Sequence, residues 1–469
     1  MSGFESLMWE LERDPQLSSA FANLTLFDRP PDRTVFRARM ERATLAVPRL
    51  RQRVSTSWTP WAHPEWIDDP DFDLDHHLRW VDLGGDADDR ALYDLAAALM
   101  RQPFDRERPL WEFVTIEGLR EGRAAMLQRL HHTITDGEGG IRLSVQFLDF
   151  EREPEPAPTT RAQREPASEH RRSHGDGDDD SAPTAVDAPD APSGFWGRSV
   201  AAVGGAAALV SSSATAIPRR GNEMTAVARS TIRQVTVGAS RSPLWRERSL
   251  DRWLGTAVLS LEDVRSAAHH LGGSVNDLFI TGAAAAAGRV HAAAGMPVDE
   301  LRVSMPVSTR HDRSAGGNAF SPTQTLVPTG EMDCSERFGV IRDALTGVKT
   351  ERVIDALEGA ANAASMLPSA ALVRSGQHLA GSVDFVCSNV RAAPFDLFIA
   401  GGFMEANFPL GPLAGTAFNL TTMSYRGWLF LGLVTDPAAV QDPEELLEEL
   451  ERAYSELLAV GGVRRPRRY

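Results

Sequence analysis

Cysteine is almost absent. The 469 residues include two, Cys334 and Cys387, and neither stands at a spacing used by a metal site or a disulfide framework. Positive charge is also scarce: 49 Lys and Arg face 64 Asp and Glu, giving a formal charge of −15 and a pI near 5.3. That deficit argues against nucleic acid as a bulk partner, and it means that any anionic ligand needs a local basic patch. Long apolar runs are missing too. Residues 199–218 are uncharged over the ~20 positions a spanning helix needs, but their only bulky apolar residues are Val200, Val203, Leu209, Val210 and Ile217. Phe195, Trp196 and Arg198 before the segment, and Arg219 and Arg220 after it, suit contact with a membrane surface. An inter-domain helix is the plainer expectation. The opening MSGFESLMWELERD has neither the basic nor the apolar stretch of a signal peptide, so a cytoplasmic location is expected.

What is present describes a globular chain. Hydrophobic residues make up 42% and charged residues 24%, and the length suffices for two sizeable cores. Residues 151–194 are rich in Pro, Ser, Asp and Glu and hold 11 acidic residues against 5 Arg, so they are expected to form a disordered acidic linker. The expected organisation is therefore a first subdomain at 1–150, the linker at 151–194, a connecting and mainly helical segment at 195–244, and a second subdomain at 245–469. Both halves alternate helix-like and strand-like stretches, which implies an α/β or α+β architecture. Residues 124–130 read as a strand ending at His131. Ile141, Val145 and Leu148 then fall on one helical face, so a strand-to-helix loop carries the residues between. In the second half, Ser274 and Asp277 form a variant capping box that opens an Ala-rich helix. Residues around Phe418–Tyr425 and Trp428–Val434 read as strands joined at Arg426-Gly427. Asp442-Pro443 opens a last helix whose buried stripe is Leu446, Leu447, Leu450, Tyr454, Leu457 and Leu458.

The loop after residue 130 is the chemically informative part. It reads HHTITDG, an HHxxxDG pattern of a histidine pair, an aspartate and a turn glycine within residues 131–137. Acyl transfer from a thioester to a hydroxyl needs a base for the hydroxyl proton, a donor for the oxyanion and departure of the thiolate. An imidazole with an ordinary pKa of ~6.5 suits the first task. Asp136 can shape the loop without moving a proton, and Gly137 relieves a tight turn. Two other histidine pairs, His76-His77 and His269-His270, lack the xxxDG continuation, and for them surface or core packing is the expectation. The weight of the motif therefore rests on Asp136 and Gly137.

Further marks follow in order along the chain: RERPLWE around Pro109-Leu110-Trp111, Asn276-Asp277, MPVSTR with Gly317-Asn318, and SNV at 388–390 followed by PLGPLAG. With HHTITDG and the upstream RLRQR and DPDFDLDHHLRW, these resemble the bacterial wax ester synthase/diacylglycerol acyltransferase family over nearly the whole chain except residues 151–240. The resemblance implies the CoA-dependent acyltransferase fold, with two chloramphenicol-acetyltransferase-like subdomains and a tunnel between them. It implies acyl-CoA as donor and diacylglycerol or a long-chain alcohol as acceptor, with no cofactor and no metal. It also implies His132 as general base, His131 as support of the loop, and Asp136 as a structural residue, for which Arg310 is the candidate partner. Asn276, in a first helical turn, is placed to stabilise negative charge or is simply a favourable first-turn residue. Pro109, Leu110 and Trp111 are candidate tunnel-wall residues or core. Ser388 and Asn389, after an expected strand at 383–387, are candidates for the acceptor side or for a turn. Contact with a membrane or lipid-droplet surface fits such substrates.

This sequence departs from the family pattern where SNVRAAP carries Arg391 in place of a proline. A condensation-type transferase fed by a carrier protein shares the histidine motif, and a lipid-binding protein without turnover is the non-enzymatic alternative. Cys387 is expected to be buried and inert, because no cysteine–histidine spacing supports covalent catalysis.

Overall fold

The computed structural model describes residues 1, 3–56, 64–134, 146–153, 240–308, 320–350 and 369–469. The linker and connecting segment expected at 151–244, including the uncharged stretch at 199–218, fall outside these residues except at 151–153 and 240–244. The expected helical face at Ile141 and Val145 lies outside them as well. Among the described residues, no helix is long and apolar enough to cross a membrane.

Among the described residues the structure is a mixed α and β fold built on two six-stranded sheets and one two-stranded ribbon. In the first sheet the order is Phe398–Ile399, Gly402–Leu410, Ala20–Phe27, Ala124–His131, Trp111–Leu119 and Leu78–Ala87. Leu78–Ala87 and Trp111–Leu119 run parallel, so the chain must cross over between them. The helix Asp89–Arg101 makes that crossover. It starts at Asp88, whose carboxylate accepts the Ala91 N–H at 2.9 Å, and it buries Leu92, Ala96, Ala97 and Leu99. The second sheet runs Trp253–Ser260, Trp428–Thr435, Phe418–Tyr425, Phe385–Arg391, Glu300–Ser308 and Phe320–Pro328. The hairpin Phe418–Tyr425/Trp428–Thr435 turns at Arg426 and Gly427, both at positive φ (51° and 83°), as the sequence led us to expect.

Among the helices that back the second sheet, two carry the expected sequence signals. Val275–Ala293 opens on the anticipated capping box: Ser274 Oγ accepts the Asp277 N–H at 3.3 Å, and the Asp277 carboxylate accepts the Ser274 N–H at 2.7 Å. Pro443–Val460 is capped by Asp442 and buries Leu446, Leu450, Tyr454, Leu457 and Leu458 on the expected stripe, with Leu447 at its edge. Phe385, Cys387, Phe418, Leu420, Leu431 and Leu433 form the helix-facing side of this sheet.

The other side of the second sheet faces the first. Strand Gly402–Leu410 lies antiparallel to Ala20–Phe27 and carries chain from the C-terminal half into the N-terminal sheet. There Asn407 Nδ2 reaches Met423 Sδ at 3.2 Å, and the Tyr425 hydroxyl donates to the Met404 carbonyl at 2.9 Å. Thr256, Gly432, Thr421 and Ser388 are register partners across four strands, forming a row of small residues on this inner face. Gly432 explains why the row must be small: a Cβ there would sit 2.0 Å from the Pro409 carbonyl oxygen. Gly432→Ala is expected to lower stability by about 1–3 kcal/mol through overpacking. Gly339→Ala, in the Cys334–Thr350 helix with nothing near its Cβ, is expected to be neutral or stabilising. Urea denaturation of the two variants checks both; equal behaviour would show that the sheet contact tolerates a methyl group.

Candidate active site

The strand Ala124–His131 is buried on both faces, as expected for a central strand. It pairs with Ala20–Phe27 on one side and Trp111–Leu119 on the other. His131 closes it, donating its N–H to the Leu110 carbonyl at 3.0 Å and standing opposite Ala20. The chain then turns: the His132 N–H reaches the Ser19 carbonyl at 3.3 Å, and the Ile134 N–H returns to the His131 carbonyl at 2.9 Å. Both imidazoles are thereby buried at the end of a fixed strand.

The two rings have different surroundings. His131 Nδ1 accepts the Thr133 backbone N–H at 3.2 Å and lies 2.7 Å from the Thr133 hydroxyl. On this hydrogen-bond pattern the proton is assigned to Nε2, which donates to Glu12 Oε2 at 3.0 Å. Both nitrogens of His131 are therefore engaged. His132 stacks on Phe21, with centroids 4.4 Å apart and planes at 30°. Its Nδ1 is buried without a hydrogen-bond partner among the described residues. Burial, and next the adjacent His131, push the His132 pKa down to about 3, against a smaller upward pull from Glu12. The imidazole is thus neutral at physiological pH.

Glu12 carries no sequence signal. It is an ordinary acidic residue just past the Gly3–Leu11 helix, 119 positions from its partner. Burial works against its ionisation. His131, the Ser18 hydroxyl at 2.6 Å and the Ser19 N–H at 2.8 Å outweigh that and hold the carboxyl down at about 2. Glu12 is therefore a carboxylate at any working pH.

Asp136, Gly137 and Arg310 lie outside the described residues, so the expected pairing of Asp136 with Arg310 has no structural account. Trp111 is buried in the core: its ring stacks on His77 at 4.4 Å, and its Nε1–H donates to the Leu50 carbonyl at 2.9 Å. His77 Nδ1 in turn donates to the Trp111 carbonyl at 2.7 Å, which places half of that histidine pair in core packing. Leu110, next to Trp111, lines a cavity beside His131, and Pro109 is buried. Asn276 stands half-buried in the first turn of its helix, and no hydrogen bond or ring contact joins it to His131 or His132 among the described residues.

Ser388 and Asn389 require a correction. The strand spans Phe385–Arg391 rather than residues 383–387, so both residues lie inside it and not in a turn. They pair with Thr421 and Thr422, and strand alternation sends them to opposite faces. Ser388 joins the inner row facing the first sheet, while Asn389 lies on the helix side with Cys387. Cys387 is buried as expected, and burial pushes its thiol far above the ordinary range.

Solved structures share the fold. The wax ester synthase/diacylglycerol acyltransferase from Marinobacter aquaeolei VT8 aligns over 98% of this chain and 98% of its own, with a TM-score of 0.61 at 20% identity. The starter condensation domain of rhizomide synthetase, in a mutant form in complex with C8-CoA, aligns over 98% and 94%, with a TM-score of 0.56 at 16% identity. The chain has the fold that these two proteins share.

Sequence models narrow this. That of the wax ester synthase/diacylglycerol acyltransferase catalytic domain matches residues 1–279, and that of the family's C-terminal domain matches residues 316–458. A Mycobacterium tuberculosis H37Rv protein, provisionally named a diacylglycerol O-acyltransferase, is 34% identical over 474 aligned positions, covering 98% of this chain and 92% of its own. Another from the same strain, Tgs4, also provisionally named, is 29% identical over 84% of this chain and 82% of its own. The chain belongs to the wax ester synthase/diacylglycerol acyltransferase family, and it is an acyltransferase.

Two measurements test the geometry. Were His132 the base of the reaction, its lowered pKa would place the acid limb of kcat/KM well below the ordinary histidine value of 6.5. A pH–rate profile bending at 6.5 would contradict this. Glu12→Ala leaves His131 Nε2–H without its acceptor and is expected to cut kcat by about 10- to 100-fold through loss of orientation. Glu12→Gln, which keeps an oxygen acceptor, should retain more activity. Equal losses at unchanged melting temperature would remove the positioning role.

Proposed function

We propose that the protein transfers a long-chain acyl group from acyl-CoA to the hydroxyl of diacylglycerol, a long-chain alcohol or both, with His132 as general base. The observation that carries this reading is the unequal engagement of the two histidines. Both ring nitrogens of His131 are committed, to Thr133 and Glu12, whereas His132 makes no side-chain hydrogen bond among the described residues and is neutral. Of the pair, His132 is the ring free to accept a proton.

In this reading the acceptor oxygen attacks the thioester carbonyl carbon while a ring nitrogen of His132 takes the hydroxyl proton. The tetrahedral oxyanion then collapses, the C–S bond breaks, and the imidazolium returns its proton to the thiolate. The products are an ester and free CoA. No covalent enzyme intermediate and no cofactor or metal is needed. Asp136, braced by Arg310, would shape the loop, and Asn276 would contribute polarity at the start of its helix. Leu110, with Pro109 beside it and Trp111 bracing it from the core, and Ser388 on the inner face, are the lining candidates that the fold supports best. Asn389 is a weaker one. A tunnel between the lobes would bring the two substrates to His132 from different sides, and contact with a membrane or lipid-droplet surface would supply the acceptor.

His132→Ala is expected to reduce thiol release from palmitoyl-CoA by at least about 10²-fold with either hexadecanol or diacylglycerol, at unchanged folding by circular dichroism. Undiminished turnover would sink the assignment. A transferase fed by a carrier protein is separated by the donor: acyl-carrier protein turned over in strong preference to palmitoyl-CoA would replace the present reading. Lipid binding without turnover of either donor would favour a non-enzymatic role.

A further inference from the structure

Beside the histidine pair lies a cavity of about 180 Å³ whose wall includes Glu12, Leu110 and His131. Three arginines share that wall: Arg101, which is paired with Asp251 at 2.6 Å, and two others, Arg106 from the N-terminal half and Arg252 from the C-terminal half. Arg106 and Arg252 differ from several other arginines among the described residues. Arg33, Arg129 and Arg152 meet carboxylates (Glu117, Glu112 and Asp28), while Arg248 and Arg337 each donate to three backbone carbonyls. Among the described residues Arg252 donates a single hydrogen bond, from Nη1 to the Asp251 carbonyl at 2.8 Å. Arg106 also donates only one, from Nη2 to the Trp9 carbonyl at 3.1 Å, with its guanidinium 3.6 Å over the Trp9 ring. Among the described residues, neither has a carboxylate partner.

A guanidinium has five N–H donors and stays charged in proteins. Burial disfavours the cation at both positions and pulls both pKa values down. The acidic groups nearby are already committed. Asp436, whose charge reaches Arg252, accepts from the Ser249 N–H, the Ser249 hydroxyl and the Ala438 N–H. Glu12 is held by Ser18, Ser19 and His131. The cavity thus presents unspent cationic donors beside apolar walls, in a protein whose net charge is −15. Such a patch is what an acidic body needs in order to hold an anionic ligand.

We propose that Arg252, with Arg106, forms a phosphate subsite for the thioester donor, so that the donor reaches the histidine pair through the Glu12 side of the molecule. This rests on the reading that the donor is a CoA thioester. CoA joins phosphates to a flexible chain of amide and apolar groups, and a guanidinium fork matches phosphate oxygens. The acceptor, which brings no phosphate, gains nothing from this wall.

The test compares wild type with Arg252→Gln and with the charge-retaining Arg252→Lys. Arg106 is left in place because its stacking on Trp9 is structural. Binding of free CoA and of pantetheine, which lacks the phosphates, is measured by calorimetry. Kinetics use palmitoyl-CoA and the palmitoyl thioester of N-acetylcysteamine. Arg252→Gln is expected to weaken CoA binding and raise the KM for palmitoyl-CoA about ten-fold, leave pantetheine and the N-acetylcysteamine thioester unchanged, and flatten the salt dependence. Arg252→Lys should restore part of the loss. Equal effects on both members of each pair, or none, would overturn the subsite. Loss of binding to phosphatidic-acid vesicles with CoA binding intact would assign the arginines to a lipid phosphate and also overturn it. The binding arm needs no turnover, so failure of the transferase reading would appear separately, as absence of product from either thioester.

Discussion

Pairing of strand Gly402–Leu410 with Ala20–Phe27 is the constraint on which the site depends. Ala20–Phe27 is the central strand of the first sheet, with the histidine strand on one side and a strand from the C-terminal half on the other. A one-residue slip in either register would turn Phe21 away from His132 and Ser19 away from the loop. Because the inserted strand also packs against the second sheet, at Gly432 and through Met423 and Tyr425, the same pairing sets the spacing of the two sheets. The histidine pair is thus held where both halves of the chain meet, by backbone ladders and not by the loop alone.

Within that frame, electrostatics divides the labour of two adjacent histidines. Glu12 is buried but has enough donors to remain ionised. That charge fixes the orientation of His131, which in turn locks the start of the loop through Thr133. Both ionisations have consequences for stability. The Glu12 contribution is present above the ordinary carboxylate value of 4.5 and is lost as pH falls towards 2. His132 acts in the same direction at higher pH: the unfolded chain takes up a proton below about 6.5, while the folded chain resists until about 3, so stability falls as pH drops across that interval.

Much of this was legible in the sequence. The strand ending at His131, the capping box at Ser274–Asp277, the hairpin at Arg426-Gly427 and the stripe of the last helix all follow from local patterns that tertiary structure did not override. Glu12 was not legible, because an isolated acidic residue gains meaning only from what folds against it. The strand exchange was hidden for a similar reason, since local hydropathy does not say which sheet a strand joins. Ser388 and Asn389 misled because polar residues usually mark turns. Here they lie in a strand whose inner face packs against another sheet: small Ser388 fits that narrow gap, and Asn389 lies on the helix side.

A buried imidazole with a pKa near 3 is a weak base towards a free proton, and general bases work best near the operating pH. The conflict is resolved by what accompanies protonation in the proposed reaction. The imidazolium forms together with an oxyanion in the same poorly screened space, where opposite charges attract far more strongly than in water. Burial therefore disfavours an isolated cation on His132 but not an ion pair formed in the transition state. Glu12 acts in the same direction, since its charge already pulls the His132 pKa upward across the His131 ring. A site built this way keeps its base unprotonated at rest and stabilises the charged form only while negative charge is developing beside it.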